Sequence, residues 1–194
     1  MNDTIRFYNG NAESYYHSTA DVDFAESYDR FLKYIPEHGS IIDIGCGSGR
    51  DAATFASRGY RAVGLDASEE LAKIAERHTG IHVIVADMAG WICEKPYDGI
   101  WSCASLLHLR DNELKMFFRN LQENLKVGGA IFVSVKSGIE TGIDDKGRFM
   151  RNFTKKELED LLRIAGIEVK EQWETEDQFS RNGFSWINVI GTRR

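Results

Sequence analysis

Eight consecutive residues, Asp43-Ile44-Gly45-Cys46-Gly47-Ser48-Gly49-Arg50, carry the densest chemical information in this 194-residue chain. Three glycines at alternating positions directly after an apolar run let the backbone turn tightly and come close to a ligand. A helix starting just behind them presents unpaired N–H groups to that ligand. The pattern reads as a nucleotide-type cofactor held at the carboxyl end of a sheet, near a reversal of strand order. Spacing narrows the choice. A dinucleotide loop wants its third glycine three residues after the second. Here Gly49 follows Gly47 by two, and Arg50 takes the dinucleotide position, which argues against a dehydrogenase. A G-x-x-x-x-G-K-S/T phosphate loop is absent. The remaining chemical side chains are scattered. Cys46, Cys93 and Cys103 are an odd count with no CxxC pair, so neither a disulfide framework nor a structural zinc is expected. His78 and His82 stand four apart, but Thr79 and Gly80 between them should end any helix. They would share no helical face, and no metal site is expected.

The elements that must position the glycine loop alternate strand and helix. Ser40–Gly45 is a short apolar run stopping at glycine, as a strand buried on both faces would. Asp51–Arg58 is a helix with Ala52, Ala53 and Ala56 able to approach a sheet. Arg61–Leu65 is the second strand. Ser68, backed by Glu69 and Glu70, caps a helix running to about Arg77 and breaking near Gly80. Ile81–Val85 and Asp98–Cys103 are the third and fourth strands. Asp111 or Asn112 caps a helix through about Lys126, with Leu114, Phe117, Phe118, Leu121 and Leu125 as its apolar stripe. Gly128-Gly129 is a turn before a fifth strand, Ala130–Lys136. Thr154-x-x-Glu157 opens a helix ending at Gly166. Ile167–Trp173 and Phe184–Gly191 close the chain as an antiparallel pair. The class is α/β: a doubly wound, seven-stranded, mostly parallel sheet with an antiparallel strand at its C-terminal end. It should form a single domain, with an aromatic-rich helical cap over 1–38 and a sheet core over 39–194.

Composition agrees with that size. Apolar residues make up 42% of the chain and charged residues 28%. The 24 Lys+Arg against 30 Asp+Glu leave a net charge of −6. A protein built to grip phosphate backbone usually carries a basic face, so a nucleic-acid partner is not expected. No run reaches the roughly 18 apolar residues of a membrane helix, and residues 1–10 lack a signal-peptide pattern. A soluble, cytoplasmic protein is the starting expectation.

The stretch D-I-G-C-G-S-G-R resembles motif I of the class I S-adenosylmethionine (SAM) dependent methyltransferases, a Rossmann-like family. The resemblance extends over Ser40 to Lys136. Asp66 ends the second strand in VGLDAS, and Asp87 follows the third in IVADM, where that family places its acidic residues. Leu125-Lys-Val-Gly-Gly129 matches the family's L-K-P-G-G turn, with Val127 for proline. The resemblance implies that Gly45, Cys46, Gly47 and Gly49 pack under SAM and that Asp43 meets its amino group. Asp66 would accept both ribose hydroxyls, a task suited to a carboxylate, with Ala67 and Ser68 beside it. Asp87 would contact the adenine amino group, and Met88 would lie against the ring. Arg50 would pair with the SAM carboxylate. Ser102 and Cys103, in the strand-four exit YDGIWSCASLLHLRD, would line the reactive end. Tyr16 of the cap would also touch the cofactor.

Methyl transfer displaces an already activated leaving group, so the enzyme mostly aligns the nucleophile and removes its proton. His108, in the strand-four exit, is the candidate catalytic base, since histidine titrates near neutrality. It would otherwise hydrogen-bond under the helix start at Asp111. Tyr15, Lys136 and Arg148 are the candidate acceptor contacts, with the two cations recognising an anionic group. The expected acceptor is a small molecule, because the chain shows no second recognition module. Methylation of RNA or protein and a non-catalytic SAM sensor are the alternatives. The Asn-Pro-Pro-aromatic signature of amino-directed DNA and glutamine methyltransferases is missing; Ser102-Cys103-Ala104-Ser105 occupies that region.

Overall fold

The short apolar runs become strands whose successive residues face two different cores. The computed structural model describes residues 3–20, 22–176 and 183–194. Among these, seven strands form one sheet: β1 (Ser40–Ile44), β2 (Arg61–Asp66), β3 (Val83–Val85), β4 (Tyr97–Cys103), β5 (Leu125–Ser137), β8 (Ile167–Glu176) and β9 (Ser185–Arg193). A separate small hairpin pairs β6 (Gly142–Ile143) with β7 (Phe149–Met150). The sheet order is β3-β2-β1-β4-β5-β9-β8. The first five strands pair in parallel, and β9 runs antiparallel to both β5 and β8. The expected doubly wound sheet is therefore present, and its strand order reverses between β1 and β4, where the glycine loop leaves β1. The helices are α1 (Asp3–Gly10), α2 (Ala12–Thr19), α3 (Ala25–Leu32), α4 (Arg50–Ser57), α5 (Glu69–Thr79), α6 (Asp111–Asn124) and α7 (Lys155–Ile164), with a 3-10 turn at Leu106–His108.

Alternation assigns each strand residue to a side. Ile42, Ile100, Ile131, Val133 and Val189 share a core with Phe117, Phe118 and Leu121 of α6 and Leu158 and Leu162 of α7. Their chain neighbours Ile41, Trp101, Ala130, Phe132 and Ile190 share the other core with Tyr28 and Phe31 of α3 and Phe55 of α4. Coverage of both faces explains why the strands read as continuous apolar runs.

The amino-terminal helices divide between two tasks. α1 and α2 roof α5, where Tyr8, Tyr15 and Tyr16 pack around Ala12, Leu71 and Ile74. α3 instead belongs to the sheet core beside α4. The segment 1–38 expected as cap thus includes a core helix, because the amphipathic pair Tyr28 and Phe31 buries against the sheet.

Three local expectations are revised. Asp111 is already helical in α6, and the N-cap is Arg110, whose N–H is accepted by the Glu113 carboxylate at 2.7 Å. Glu157 does not reach back in a reciprocal capping box: Thr154 accepts the Glu157 N–H at 3.2 Å, while the Glu157 carboxylate pairs with Arg151 at 2.7 Å. The Gly128-Gly129 turn is an excursion within β5, because Tyr97 pairs with Leu125 but Gly99 pairs with Ala130. Lys126 anchors it on Asp98 at 2.9 Å. A Cβ on Gly129 would stand 2.9 Å from the carbonyl oxygens of both Asp98 and Lys126. Gly129→Ala is therefore expected to lower stability by about 1–3 kcal/mol through overpacking. The reading is a lower urea midpoint at constant m-value; an unshifted midpoint would contradict the contact.

Candidate active site

Gly45, Gly47 and Gly49 all take left-handed backbone conformations, with φ of 74°, 52° and 77°. Side-chain-bearing residues rarely adopt these. Contact adds a second reason at all three positions, at Gly49 against Ala75 Cβ at 2.9 Å. A Cβ on Gly45 would lie 2.3 Å from Ser105 Cβ, and one on Gly47 would lie 2.9 Å from the Tyr15 ring. The loop is thus bare backbone facing the cap and the β4 exit. Gly49 faces α5 instead, toward Ala75 and Thr79. Asp66, at the end of β2, ties the loop to the next helix: its Oδ2 accepts the Gly47 N–H at 2.9 Å and its Oδ1 the Ser68 N–H at 2.8 Å. Burial pushes the Asp66 carboxyl up from its ordinary pKa, and these N–H groups oppose that rise.

Two cavities meet at this loop. The smaller, of about 80 Å³, is bounded by Gly47, Asp66, Ala67, Ser68, Asp87 and Met88. The larger cleft, of about 540 Å³, runs from Cys46 and Arg50 past Cys103 to Lys136 and Arg148. Tyr8, Tyr15, Gly45, Ala104 and His108 line both. Most sequence-predicted residues therefore converge. Four lie outside the walls of both cavities. Tyr16 stacks on His78 with ring centroids 4.3 Å apart. Ser102 is buried against Ser105, their hydroxyl oxygens 2.7 Å apart. Gly49 faces α5, as above. Asp43 is buried beneath the loop, its Oδ2 without a hydrogen-bond partner. Burial and then the neighbouring Asp51 charge hold the Asp43 carboxyl well above the usual range.

His108 sits in a chain of hydrogen bonds that joins three separate segments. Its Nδ1 lies 2.8 Å from the Phe149 carbonyl oxygen, and its Nε2 lies 2.9 Å from the Tyr8 hydroxyl. The carbonyl can only accept, so Nδ1 carries the hydrogen and Nε2 takes the Tyr8 proton. Arg148 donates to the same Tyr8 oxygen at 3.2 Å and is held by Asp144 at 2.7 Å. Asp144 neutralises Arg148, which departs from its expected role in meeting an anionic acceptor. His108 does not bond under the α6 start either. Burial lowers its pKa to about 4, and the Arg148 charge acts in the same direction against the Phe149 bond. The expected titration near neutrality is thereby displaced, and the ring is neutral at pH 7.

Arg50 is likewise engaged, donating to Asp51 at 2.5 Å and to the Thr19 carbonyl at 3.0 Å while lying over the Phe24 ring. Asp51 also accepts from Tyr28 at 2.6 Å and from Trp101 Nε1 at 2.8 Å. Sequence reading passed over Asp51, although an acidic residue in the first turn behind a glycine loop was visible. Ser134, Trp173, Trp186 and Asn188 also line the cleft and carry no motif that would select them. No cluster of three or more His, Cys, Asp or Glu able to hold a metal occurs among the described residues, nor does any helix long and apolar enough to cross a membrane. In nitrogen-15 spectra the His108 ring should titrate with a midpoint near 4, its Nδ1 protonated above it. A midpoint near 6.5 would contradict the desolvated, tautomer-locked geometry.

Comparison with known proteins places this geometry. Residues 41–129 match a methyltransferase domain model. An uncharacterized protein of Methanocaldococcus jannaschii is 30% identical over 174 residues, 82% of this chain and 67% of that protein. An 18S rRNA (guanine-N7)-methyltransferase of Schizosaccharomyces pombe is 29% identical over 119 residues, 54% of this chain and 44% of that one. The chain spans about half the length of several curated relatives that it matches. Among solved structures, the 1,6-didemethyltoxoflavin N1-methyltransferase of Burkholderia thailandensis, seen with its substrate and S-adenosylhomocysteine, superposes with a TM-score of 0.75 at 22% identity. That match covers 97% of this chain and 88% of that one. The glycine loop at the β1–β4 reversal, the carboxylates after β2 and β3 and these matches together assign the chain to the class I SAM-dependent methyltransferase family.

Proposed function

We propose that this chain transfers the methyl group of SAM to a small-molecule acceptor. One observation carries the reading: the cavity bearing Asp66, Asp87 and Met88 shares a wall of Tyr8, Gly45, Ala104 and His108 with a larger cleft. The carboxylates of the smaller space suit the hydroxyls and amino group of the SAM nucleoside once that space widens, and the larger cleft suits the methionine part and the acceptor. When bound, SAM supplies a methyl group already activated on a sulfonium.

The chain's own residues then align and deprotonate. Asp66 offers a carboxylate at the end of β2 for two adjacent hydroxyls, and Asp87 one for an amino group. Asp43 supplies a buried carboxyl with an unpartnered oxygen beneath the loop, consistent with an ammonium nearby. Arg50 lines the cleft from the α4 start. His108 holds a neutral Nε2 toward Tyr8, and the pair can receive the proton that the acceptor releases, with Arg148 fixing the Tyr8 oxygen. The smaller cavity is closed on one side by Ile5, Tyr8 and Tyr15 of α1 and α2. Asn9 pins α1 to the α5 start by accepting the Ser68 hydroxyl at 2.7 Å. Entry of a nucleoside therefore requires these two helices to lift.

RNA methylation is the second reading, favoured by the rRNA methyltransferase relative. The net charge of −6 and Asp23, Glu26 and Glu176 on the cleft weigh against a polyanionic acceptor. Asp66→Ala is expected to weaken SAM binding by about 1–3 kcal/mol in calorimetry. Tight NAD binding with no SAM response would overturn the cofactor assignment. His108→Asn should lower kcat by about 100-fold or more at unchanged SAM affinity; an unchanged kcat would remove it from the chemistry. Release of S-adenosylhomocysteine with small molecules but not with total RNA supports the small-molecule reading, and the reverse supports RNA.

A further inference from the structure

The cleft has a second end that the cofactor does not explain. Alternate residues of β5, β9 and β8 share the face covered by α3. Under α3 that face is apolar, with Phe132 paired to Ile190. Toward the β5 carboxyl end it becomes the open floor of the cleft, which α3 bounds only through Phe24–Ser27. Strand register there lays Ser134, Asn188 and Trp173 in one row, and Lys136, Trp186 and Thr175 in the next. All six line the cleft. β8 lies three strand spacings from β4, roughly 14 Å, so the β8 side of this floor is remote from the glycine loop, and His108 lines the same cleft.

The chemistry of the floor is specific. Trp173 is half-buried and backed by the Phe132 ring at 5.9 Å and by the Arg30 guanidinium 4.7 Å from its centroid. Trp186 stands diagonally from it, with Lys136 Nζ 5.1 Å from its ring. Between the two indoles, Asn188 is buried, and its Nδ2 donates to Thr175 Oγ1 at 3.1 Å and to the Trp186 carbonyl at 3.4 Å. With those hydrogens spent, the group Asn188 can offer a ligand is its amide oxygen, which only accepts. Flat apolar walls select a flat apolar body, and a fixed buried acceptor selects a donor.

We propose that the β5–β9–β8 floor is the acceptor subsite, built for a planar aromatic or heteroaromatic ring that bears an N–H or O–H donor to Asn188. The ring lies along the indoles and extends its methyl-accepting atom toward His108. This rests on the methyltransferase reading, and the test separates the two. Calorimetry is run on the full chain with SAM alone, then on the chain saturated with S-adenosylhomocysteine. The second titration uses 4-hydroxyquinoline, 4-aminoquinoline and 1-naphthol against their decahydro counterparts. At least one planar probe is expected to bind about tenfold or more tightly than its saturated partner. Trp186→Leu should abolish that preference, and Asn188→Leu should weaken the planar probe about tenfold by removing the acceptor for its N–H or O–H donor, with S-adenosylhomocysteine affinity within about twofold of the unchanged chain as the control for folding. Planar and saturated probes binding alike, no planar probe binding, or a preference surviving in folded Trp186→Leu would overturn the subsite. Absence of SAM binding in the first titration would overturn the methyltransferase reading instead.

Discussion

The structure depends on the close approach of bare backbone at the end of β1. Gly45 and Gly47 take left-handed conformations and leave no room for a Cβ against Ser105 and Tyr15. That absence lets the β4 exit, the cap and the Asp66 carboxylate converge on one loop. Because β1 pairs with β2 on one side and β4 on the other, connections leave in opposite directions and open a crevice there. Most of the residues expected to meet the cofactor line the two cavities that open there.

Burial, rather than pairing, sets the electrostatics of the site. Asp43 and Asp66 are desolvated and have raised carboxyl pKa values, while His108 is desolvated and lowered. All three are thereby biased toward neutrality. Asp51 has a different solution, with Tyr28, Trp101 and Arg50 donating to it. Filling its lone pairs with donors offsets the cost of burying it. Asp51 thus joins the aromatic core under α3 to the start of α4, so the rigidity of that core extends to the cleft wall.

The other wall is assembled from distant parts of the chain. Thr4 accepts the Phe149 N–H at 3.0 Å, Tyr8 joins Arg148, and the Leu107 carbonyl accepts the Arg151 N–H at 2.8 Å. The α1 helix, the β4 exit and the small hairpin therefore move as linked pieces. Opening the cap over the smaller cavity must disturb Tyr8, and through it the His108 side of the cleft.

The sequence alone determined the alternation of strands and helices, the β1 loop and the acidic residues at successive strand ends. Each of those is local: a run, a turn or a fixed spacing that follows from backbone geometry within a few residues. It also determined the capping roles of Ser68 and Thr154, whose hydroxyls accept the Leu71 and Glu157 N–H groups. Only the tertiary structure decided that Tyr8 meets His108 while Tyr16 stacks on His78, that Arg148 pairs with Asp144 and Tyr8, and that α3 belongs to the core. It alone aligned Trp173, Asn188 and Trp186 on one floor. The physical reason is range. Apart from Arg148 and Asp144, four positions apart, these contacts join distant parts of the chain, and they depend on register and helix rotation, which no single segment specifies.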